Sequence, residues 1–564
     1  MRLLILVVIT AASLSLLWKA LLNDIPAKIT STKEGLHSSS NENNNDYDDY
    51  TVPFDVAQQL HFSTMNTISS SKDNVTRNFV SAALGSNMVI QRDQEAILWG
   101  YSKEPKATIT TRLYKQQEND NGDAYNNLPY LQLLTTADDD GLWKQTLVPH
   151  PASMEPQSIT ITSSTGESKT LDNVLFGDVY ICGGQSNMEF SIPGTTNATE
   201  EAKRANNYPH VRLFTVGKGT PGTDDFLMPD LQTVKQPWSV ANSLSIAGQG
   251  DFSHFSSVCW FFGREISEGL NNSVPIGLIS NNWGGTAVEL WKPGGHLYNA
   301  MIHPYMIGPM ALTGFTWYQG EANAGNPEPY GHLFSEMIEQ WRSGFNATSA
   351  YFGFVQLSTW CPKTPERVAQ MRQSQMAALQ LKSGNVGYAT NADHGAGCNI
   401  HPPAKQYCGT RLAKSALALQ YGQTSIHWKS PSYYRYKESS ITTTSSSTPM
   451  GQSRPYVVIE MQDVTDKGLY ILGNPYNNRL DPKDFRCEDQ VPGTCAGAEV
   501  LLNGKGWVNA TLSVQGKNHV VLTAEEGDAS DTIVATSYGW GSVPMLSLYD
   551  KGTDLPALPW RGRL

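Results

Sequence analysis

The sequence predicts an α/β protein: a three-layer domain built on a parallel sheet, flanked by β-sandwich-type domains. Two observations carry that reading. In residues 176–436, strand-like runs such as "VPIGLIS" and "ALTGFTWYQ" alternate with helical patterns such as "VCWFFGREISEGL" and "YGHLFSEMIEQWRSGF", the alternation expected when helices cover a parallel sheet. On both sides of that stretch, short β-type runs broken by turn residues take over. The length of 564 residues exceeds one ordinary domain, and a hydrophobic content of 40% is enough for real cores.

The chain opens with MRLLILVVITAASLSLLWKALL. Arg2 is a minimal basic start, and residues 3–17 form an apolar run of secretory length, shorter than the roughly 20 residues of a spanning helix. Residues 1–22 therefore read as a signal peptide, or as a signal anchor if Trp18 to Leu22 extend the run. Either reading places the protein in the secretory pathway, secreted or in a lysosomal-type lumen, with membrane attachment only through an uncleaved N-terminus. Five N-x-S/T triplets, at Asn74, Asn197, Asn271, Asn346 and Asn509, agree with that compartment as glycosylation sites. Residues 23–77 are polar, acidic and asparagine-rich, the composition of a disordered stalk.

Residues 78–175 carry the β-type runs "MVIQRD", "AILWGY", "ATITTRLY", "LWKQTLV" and "QSITITSS" and form the N-terminal β domain. The α/β domain follows over 176–436, a Ser/Thr-rich linker over 437–453, and a C-terminal β domain over 454–564. The balance of 41 basic against 52 acidic side chains gives a net charge of −11, which excludes nucleic acid as a partner and offers no basic face to anionic membranes. Of seven cysteines, Cys487 and Cys495 flank a Pro/Gly loop and are the easiest pair to bridge. Cys361, Cys398 and Cys408 share a region that can supply a second bridge, and Cys182 and Cys259 sit in apolar runs as expected for buried thiols. An odd count leaves at least one free.

The chemistry concentrates in four segments. "GDVYICGGQSNMEF" (177–190) runs from an apolar strand through Gly183 and Gly184, which permit a turn that β-carbons forbid, to Ser186 at the start of a helix. A hydroxyl there serves either as a helix cap or as a nucleophile whose own amide helps hold an oxyanion. Two further segments also follow apolar runs, so they reach the same C-terminal sheet edge, where open parallel sheets keep their functional loops. "GLISNNWGGTAVELW" offers the amides of Gly284 and Gly285 and Trp291 as a wall, and "GFTWYQGEANAG" offers Gln319, Glu321 and Asn323. Singly, glycines make turns and tryptophans make cores; three such loops on one edge point to a site. A serine nucleophile needs a base. His401, in "NADHGAGCNIHPPAKQ", stands before Pro402 and Pro403, which push it out of helical geometry and hold it on a loop at a helix entrance; His394 is the alternative. The donors Asp393, His394, Cys398, His401 and Cys408 match no zinc-binding spacing, so no metal is assigned.

These segments give the chain its resemblance to sialate O-acetylesterases, within the SGNH-type hydrolases. "GDVYICGGQSNMEF" resembles that family's nucleophile block, and "SNNWGGTAVELW", "TWYQGEANAG" and "NIHPPAKQYCGTRLA" resemble its next three blocks, in the family's order. "MVIQRDQEAILWGY" and "LPALPWR" match the two ends, so the resemblance spans roughly residues 78–564. It implies an SGNH-like α/β domain and removal of O-acetyl groups, chiefly 9-O-acetyl, from sialic acids without any cofactor. It implies Ser186 as nucleophile and His401 as general base and acid. For the oxyanion hole it implies the Ser186 amide, a glycine of the Gly284–Gly285 pair (Gly285 preferred) and the Gln319 side chain, with Asn323 as the alternative. The sequence departs from the pattern ahead of the histidine, where many relatives carry an aspartate and this chain has Asn399 and Ile400. Asp393 is then the expected third member, with Glu321 or a Ser–His dyad as alternatives. A sialic acid carboxylate requires a cation, for which Arg372 and Lys292 are the candidates, and Trp291 and Glu321 complete the expected substrate contacts. An acetylesterase acting on another carbohydrate such as xylan, and a non-catalytic glycan-binding protein, are the competing readings.

Overall fold

The computed structural model describes residues 75–564, apart from 116–127, 219–225, 249, 251, 253, 442–453, 474–484 and 529. The N-terminal 1–22 segment, nearly all of the 23–77 stalk, Asn74 and most of the Ser/Thr-rich linker lie outside the described residues. Residues 71–564 form one compact unit.

The N-terminal part contains β1 (Val89–Gln91), β2 (Ala96–Tyr101), β3 (Thr108–Lys115), β4 (Leu131–Thr136), β5 (Leu142–Leu147) and β6 (Ser153–Ser163). β3 pairs antiparallel with β4 and β6, and β2 with β5. The next strand, β7 (Ser168–Gly184), belongs to both halves of the molecule. Its first half pairs antiparallel with β6, and its second half enters the parallel sheet. The burial pattern follows this handover: residues 168–173 are largely exposed, and every residue from Val174 to Gly184 is buried. The boundary expected at 175/176 thus falls inside a continuous strand, and a single apolar core joins the two parts.

The parallel sheet adds β8 (Val211–Val216), β9 (Val234–Val240), β10 (Ile276–Asn282), β11 (Gly314–Tyr318), β12 (Tyr351–Gln356) and β13 (Val386–Thr390). Its order is β13-β12-β11-β7-β10-β8-β9, parallel throughout except for β9 against β8. β8, β10, β11, β12 and β13 are buried along their whole length, which is why they read as continuous apolar runs rather than alternating ones. Five helices matter below: α1 (Ser186–Glu189), α2 (Ser257–Gly269), α3 (Tyr330–Gly344), α4 (Pro365–Gln375) and α5 (Lys405–Leu419). Adjacent β7 residues point to opposite faces: Cys182 turns to α2, while a β-carbon on Gly183 would stand 3.2 Å from Trp341 of α3.

A seven-stranded antiparallel sheet forms the C-terminal part, in the order Ser432–Ile441, Pro455–Gln462, His519–Ala524, Gly506–Gln515, Ala498–Leu502, Ile533–Tyr538 and Trp560–Arg563. It has its own core around Val457, Val500, Leu522 and Leu548. The first of these strands crosses the expected 436/437 boundary.

Disulfides join Cys361 to Cys398 and Cys487 to Cys495, as the sequence allows. The reading of Cys182 and Cys259 as buried thiols is corrected: they bridge β7 to the first turn of α2, with Cα atoms 5.8 Å apart. Apolar surroundings say that a cysteine is buried, not whether another faces it. Cys408 is the free thiol, and burial pushes it up to about 12. Asn197, Asn271, Asn346 and Asn509 are all exposed, as glycosylation requires. No helix among the described residues is long and apolar enough to cross a membrane.

The 182–259 bridge closes a loop with a sequence separation of 77. Replacing both cysteines by alanine is expected to lower unfolding stability by about 2–4 kcal/mol through loop entropy regained by the unfolded chain. An unchanged denaturant midpoint would show that the bridge adds nothing to stability.

Candidate active site

The site is built where β7 ends. Gly184 has φ +141°, and a β-carbon there would lie 2.2 Å from the Tyr318 carbonyl oxygen at the end of β11. The turn is pinned from both sides: the Gln185 amide donates to the Tyr318 carbonyl (3.0 Å), and the Trp283 amide donates to the Gly184 carbonyl (3.0 Å). The next residues form α1, with Gln185 at its N-cap position and Ser186 as its first helical residue. Ser186 is therefore not the cap. The Gln185 carbonyl accepts from Met188 and Glu189 (2.8 and 2.9 Å) and closes the turn, while the Ser186 amide has no hydrogen bond among the described residues. Ser186 itself is half-buried between buried neighbours.

Three side chains of this turn each hold a different loop. Gln185 Oε1 accepts from the amides of Gly320 and Ala322 (3.4 and 3.1 Å), fixing the loop after β11. Glu189 Oε2 accepts from the Gly284 amide (2.6 Å), fixing the loop after β10, and its other oxygen takes Lys218 Nζ. Asn187 Nδ2 donates to the Ile400 carbonyl (2.9 Å), fixing the loop that carries His401. The residue after Ser186 is thus bonded to the residue before His401. Gly284 packs directly on the serine: a β-carbon there would stand 3.3 Å from Ser186 Cβ and 3.1 Å from Glu189 Oε2. Since Glu189 occupies the Gly284 amide, the neighbouring Gly285, exposed at φ +75°, is the glycine of the pair with an amide to offer.

His401 is held by its backbone and by packing. Its amide donates to Asn399 Oδ1 (2.9 Å), and its ring lies 5.5 Å from Phe252, edge to face, and 6.3 Å from Phe190. Nε2 is buried and has no hydrogen-bond partner among the described residues. Burial first, then the Lys405 charge, lowers the imidazole to about 4.

The structure parts company with several sequence-based expectations. Asp393 does not reach the His401 ring. Both its oxygens are bound by the Arg411 guanidinium of α5, at 2.7 and 2.8 Å, because a buried carboxylate takes the fork-shaped donor packed beside it. His394 is stacked on Tyr407 at 3.3 Å. Of the donors weighed for zinc, Asp393 is held by Arg411 and Cys398 is bonded to Cys361, and no group of metal-ligating side chains occurs among the described residues. Gln319 is fully buried and its Nε2 donates to the Thr286 carbonyl and to Asn323 Oδ1 (3.1 and 2.7 Å), so both protons serve the scaffold. Asn323 is half-buried, and its Nδ2 spends one proton on Glu289 (2.8 Å) and keeps the other.

Trp291 is fully buried; its indole N–H donates to Thr286 Oγ1 and its ring meets Trp317 edge to face. It is core rather than wall. Arg372 of α4 is 1% exposed and its guanidinium serves four carbonyls: Leu357 and Ser358, and Gly541 and Ser542 of the C-terminal part, all at 2.7–2.8 Å. It is a strut between the two parts and cannot meet a substrate carboxylate. Lys292 is paired with Glu336. Glu321 lies in the site, its Oε1 accepting from Asn187 Nδ2 (2.5 Å); burial raises its carboxyl above the usual range. Asn187, Glu189 and Lys405 went unread because nothing in their residue type separates a loop clamp from a solvated polar group; the one local signal is polar side chains persisting through a run that is otherwise buried.

Replacing Arg372 by methionine strands four buried carbonyls. It is expected to cost roughly 3 kcal/mol or more while leaving KM within about twofold in the protein that remains folded. A stable variant with a raised KM would return Arg372 to the substrate.

A family model described as carbohydrate esterase, sialic acid-specific acetylesterase, matches residues 176–418. The sialate O-acetylesterase of Homo sapiens is 31% identical over 537 residues, covering 85% of this chain and 91% of that protein. The sialate O-acetylesterase of Mus musculus is 29% identical over 61% of this chain and 74% of its own. Among solved structures, a carbohydrate acetylesterase from Xanthomonas citri is similar with a TM-score of 0.67 at 26% identity, covering 86% of this chain and 99% of that one.

Proposed function

The chain belongs to the sialate O-acetylesterase family, and from that membership we propose that it hydrolyses acetyl esters on sialic acids, chiefly at the 9-hydroxyl, through an acetyl-enzyme on Ser186. The observation that supports the residue assignment is the Asn187–Ile400 hydrogen bond, which draws the loops of Ser186 and His401 together. His401 accepts the Ser186 proton as Oγ attacks the acetyl carbonyl. The oxyanion is received by the amides of Ser186 and Gly285 and by the remaining Asn323 Nδ2 proton, donors set before the charge develops. Collapse expels the sugar hydroxyl, protonated by His401, and water attacks the acetyl-serine by the same route in reverse.

His401 works here without a ring-bound carboxylate, as a Ser–His dyad within an SGNH-type three-layer domain. Three disulfides and four exposed glycosylation triplets support a secretory setting. A second reading keeps the mechanism and changes the sugar. It is favoured by the Xanthomonas citri carbohydrate acetylesterase and by the burial or pairing of both cations weighed for the sialic carboxylate.

Acetate release from 9-O-acetyl sialic acid, acetylated xylan and an aryl acetate tests these readings together. Ser186→Ala is expected to abolish release from all three and to prevent fluorophosphonate labelling. Preference for the sialic ester supports the first reading and preference for xylan the second; serine-independent release would remove Ser186 as nucleophile. The pH profile gives a separate check. A base acts only when neutral, so with His401 lowered to about 4 activity persists above that value and is lost below it. The acid limb of kcat/KM is expected near pH 4, whereas a limb near the ordinary histidine value of 6.5 would contradict the burial of the ring.

A further inference from the structure

A base that no carboxylate orients must be aimed by something else. The Asn187 amide is saturated: Nδ2 donates to the Ile400 carbonyl (2.9 Å) and to Glu321 Oε1 (2.5 Å), and Oδ1 accepts from Lys405 Nζ (2.6 Å). A lysine can only donate and a carbonyl can only accept, so the orientation of this amide is fixed chemically. Lys405 is fully buried and is the first residue of α5, just after the loop that carries His401. Nζ lies 4.8 Å from the Phe190 ring and 5.7 Å from the Tyr318 ring. An ammonium is expensive to bury unless it is paired, yet here its hydrogen-bond acceptor is a neutral amide, two aromatic faces pack on it, and the Glu321 carboxyl that acts on it is itself bonded to that amide. Such a cation contributes little to stability that an apolar side chain would not. Its place is explained by what it does to Asn187.

We propose that Asn187 and Lys405 are positioning residues for the base: Lys405 locks the Asn187 amide, Asn187 holds the Ile400 carbonyl, and His401 is thereby aimed at Ser186 through its backbone. This rests on the assignment of Ser186 and His401 as nucleophile and base. The charged and titratable groups facing Lys405 are Glu321, Cys408 and His401, and Lys405 is the charge that bears on His401. The cation lowers the imidazole, so it also keeps the base neutral in acid.

The test uses the full-length enzyme, with aryl acetate hydrolysis followed across pH and Ser186→Ala as reference. Asn187→Asp keeps the shape and the Lys405 bond but cannot donate to Ile400. It is expected to lower kcat about 100-fold, the cost of misplacing a catalytic group by about 1 Å, with KM within about threefold. Lys405→Met is expected to lower kcat and to move the acid limb of kcat/KM upward, toward the ordinary histidine range, because the repelling charge is gone. A merely structural role would leave that limb in place. Wild-type kcat in Asn187→Asp, or an unmoved limb in Lys405→Met, overturns the proposal. If either variant fails to fold, Asn187→Ser and Lys405→Gln are judged by the same criteria. Activity surviving in Ser186→Ala would instead overturn the assignment beneath it, so the two failures are distinguishable.

Discussion

The catalytic end of the molecule depends on one turn, made where β7 leaves the sheet between β10 and β11. Gly184 passes so close to the Tyr318 carbonyl that no side chain fits, and the backbone is tied to both neighbouring strands as it passes. Everything after it inherits that fixed direction. Gln185, Asn187 and Glu189 then reach three separate loops, so one short turn sets the mutual placement of the serine, the glycine pair and the histidine. Each bond is worth only about 0.5–1.5 kcal/mol net, but leaving a buried partner unmet costs about 1–3 kcal/mol. The penalty for loosening the arrangement exceeds the reward for making it, and the site is held rigid.

The buried charges around the turn are sorted with equal economy. Asp393 goes to Arg411, Glu189 to Lys218 and the Gly284 amide, and Glu321 to the Asn187 amide. Among the described residues, none of these carboxylates bonds Nε2 of the His401 ring. An unpaired, buried imidazole stays neutral over a wide range of pH because desolvation opposes its charged form, and that is the form a general base requires. In the proposed mechanism, the absence of an aspartate before His401 changes how the base is tuned as well as how it is aimed.

Much of this was legible in the sequence, and the boundary of legibility is physical. The alternation of strands and helices, the glycines before Ser186 and the prolines after His401 are local signals, and the structure carries the parallel sheet, the turn and the loop at the entrance of α5 where they were expected. Long-range partners were not legible. Arg372 has the side chain of a substrate-binding residue and Gln319 that of an oxyanion donor, yet the carbonyls that bind Arg372 across the molecule lie 169 and 170 positions away, and both protons of Gln319 go to the scaffold. Cys182 met Cys259 for the same reason: proximity created by packing is invisible to spacing. The expected 175/176 boundary lies within one strand, β7, which changes sheets without changing character.

The Arg372 strut also bears on how this architecture can be divided. Its guanidinium draws half of its acceptors from the α/β part and half from residues 541 and 542, so neither part has a complete interior alone. The catalytic region is not a cassette that can be cut out, fused elsewhere or shortened at its end; removing the last strands would expose an unmatched cation beneath the sheet. The same holds at the other end, where β7 is shared.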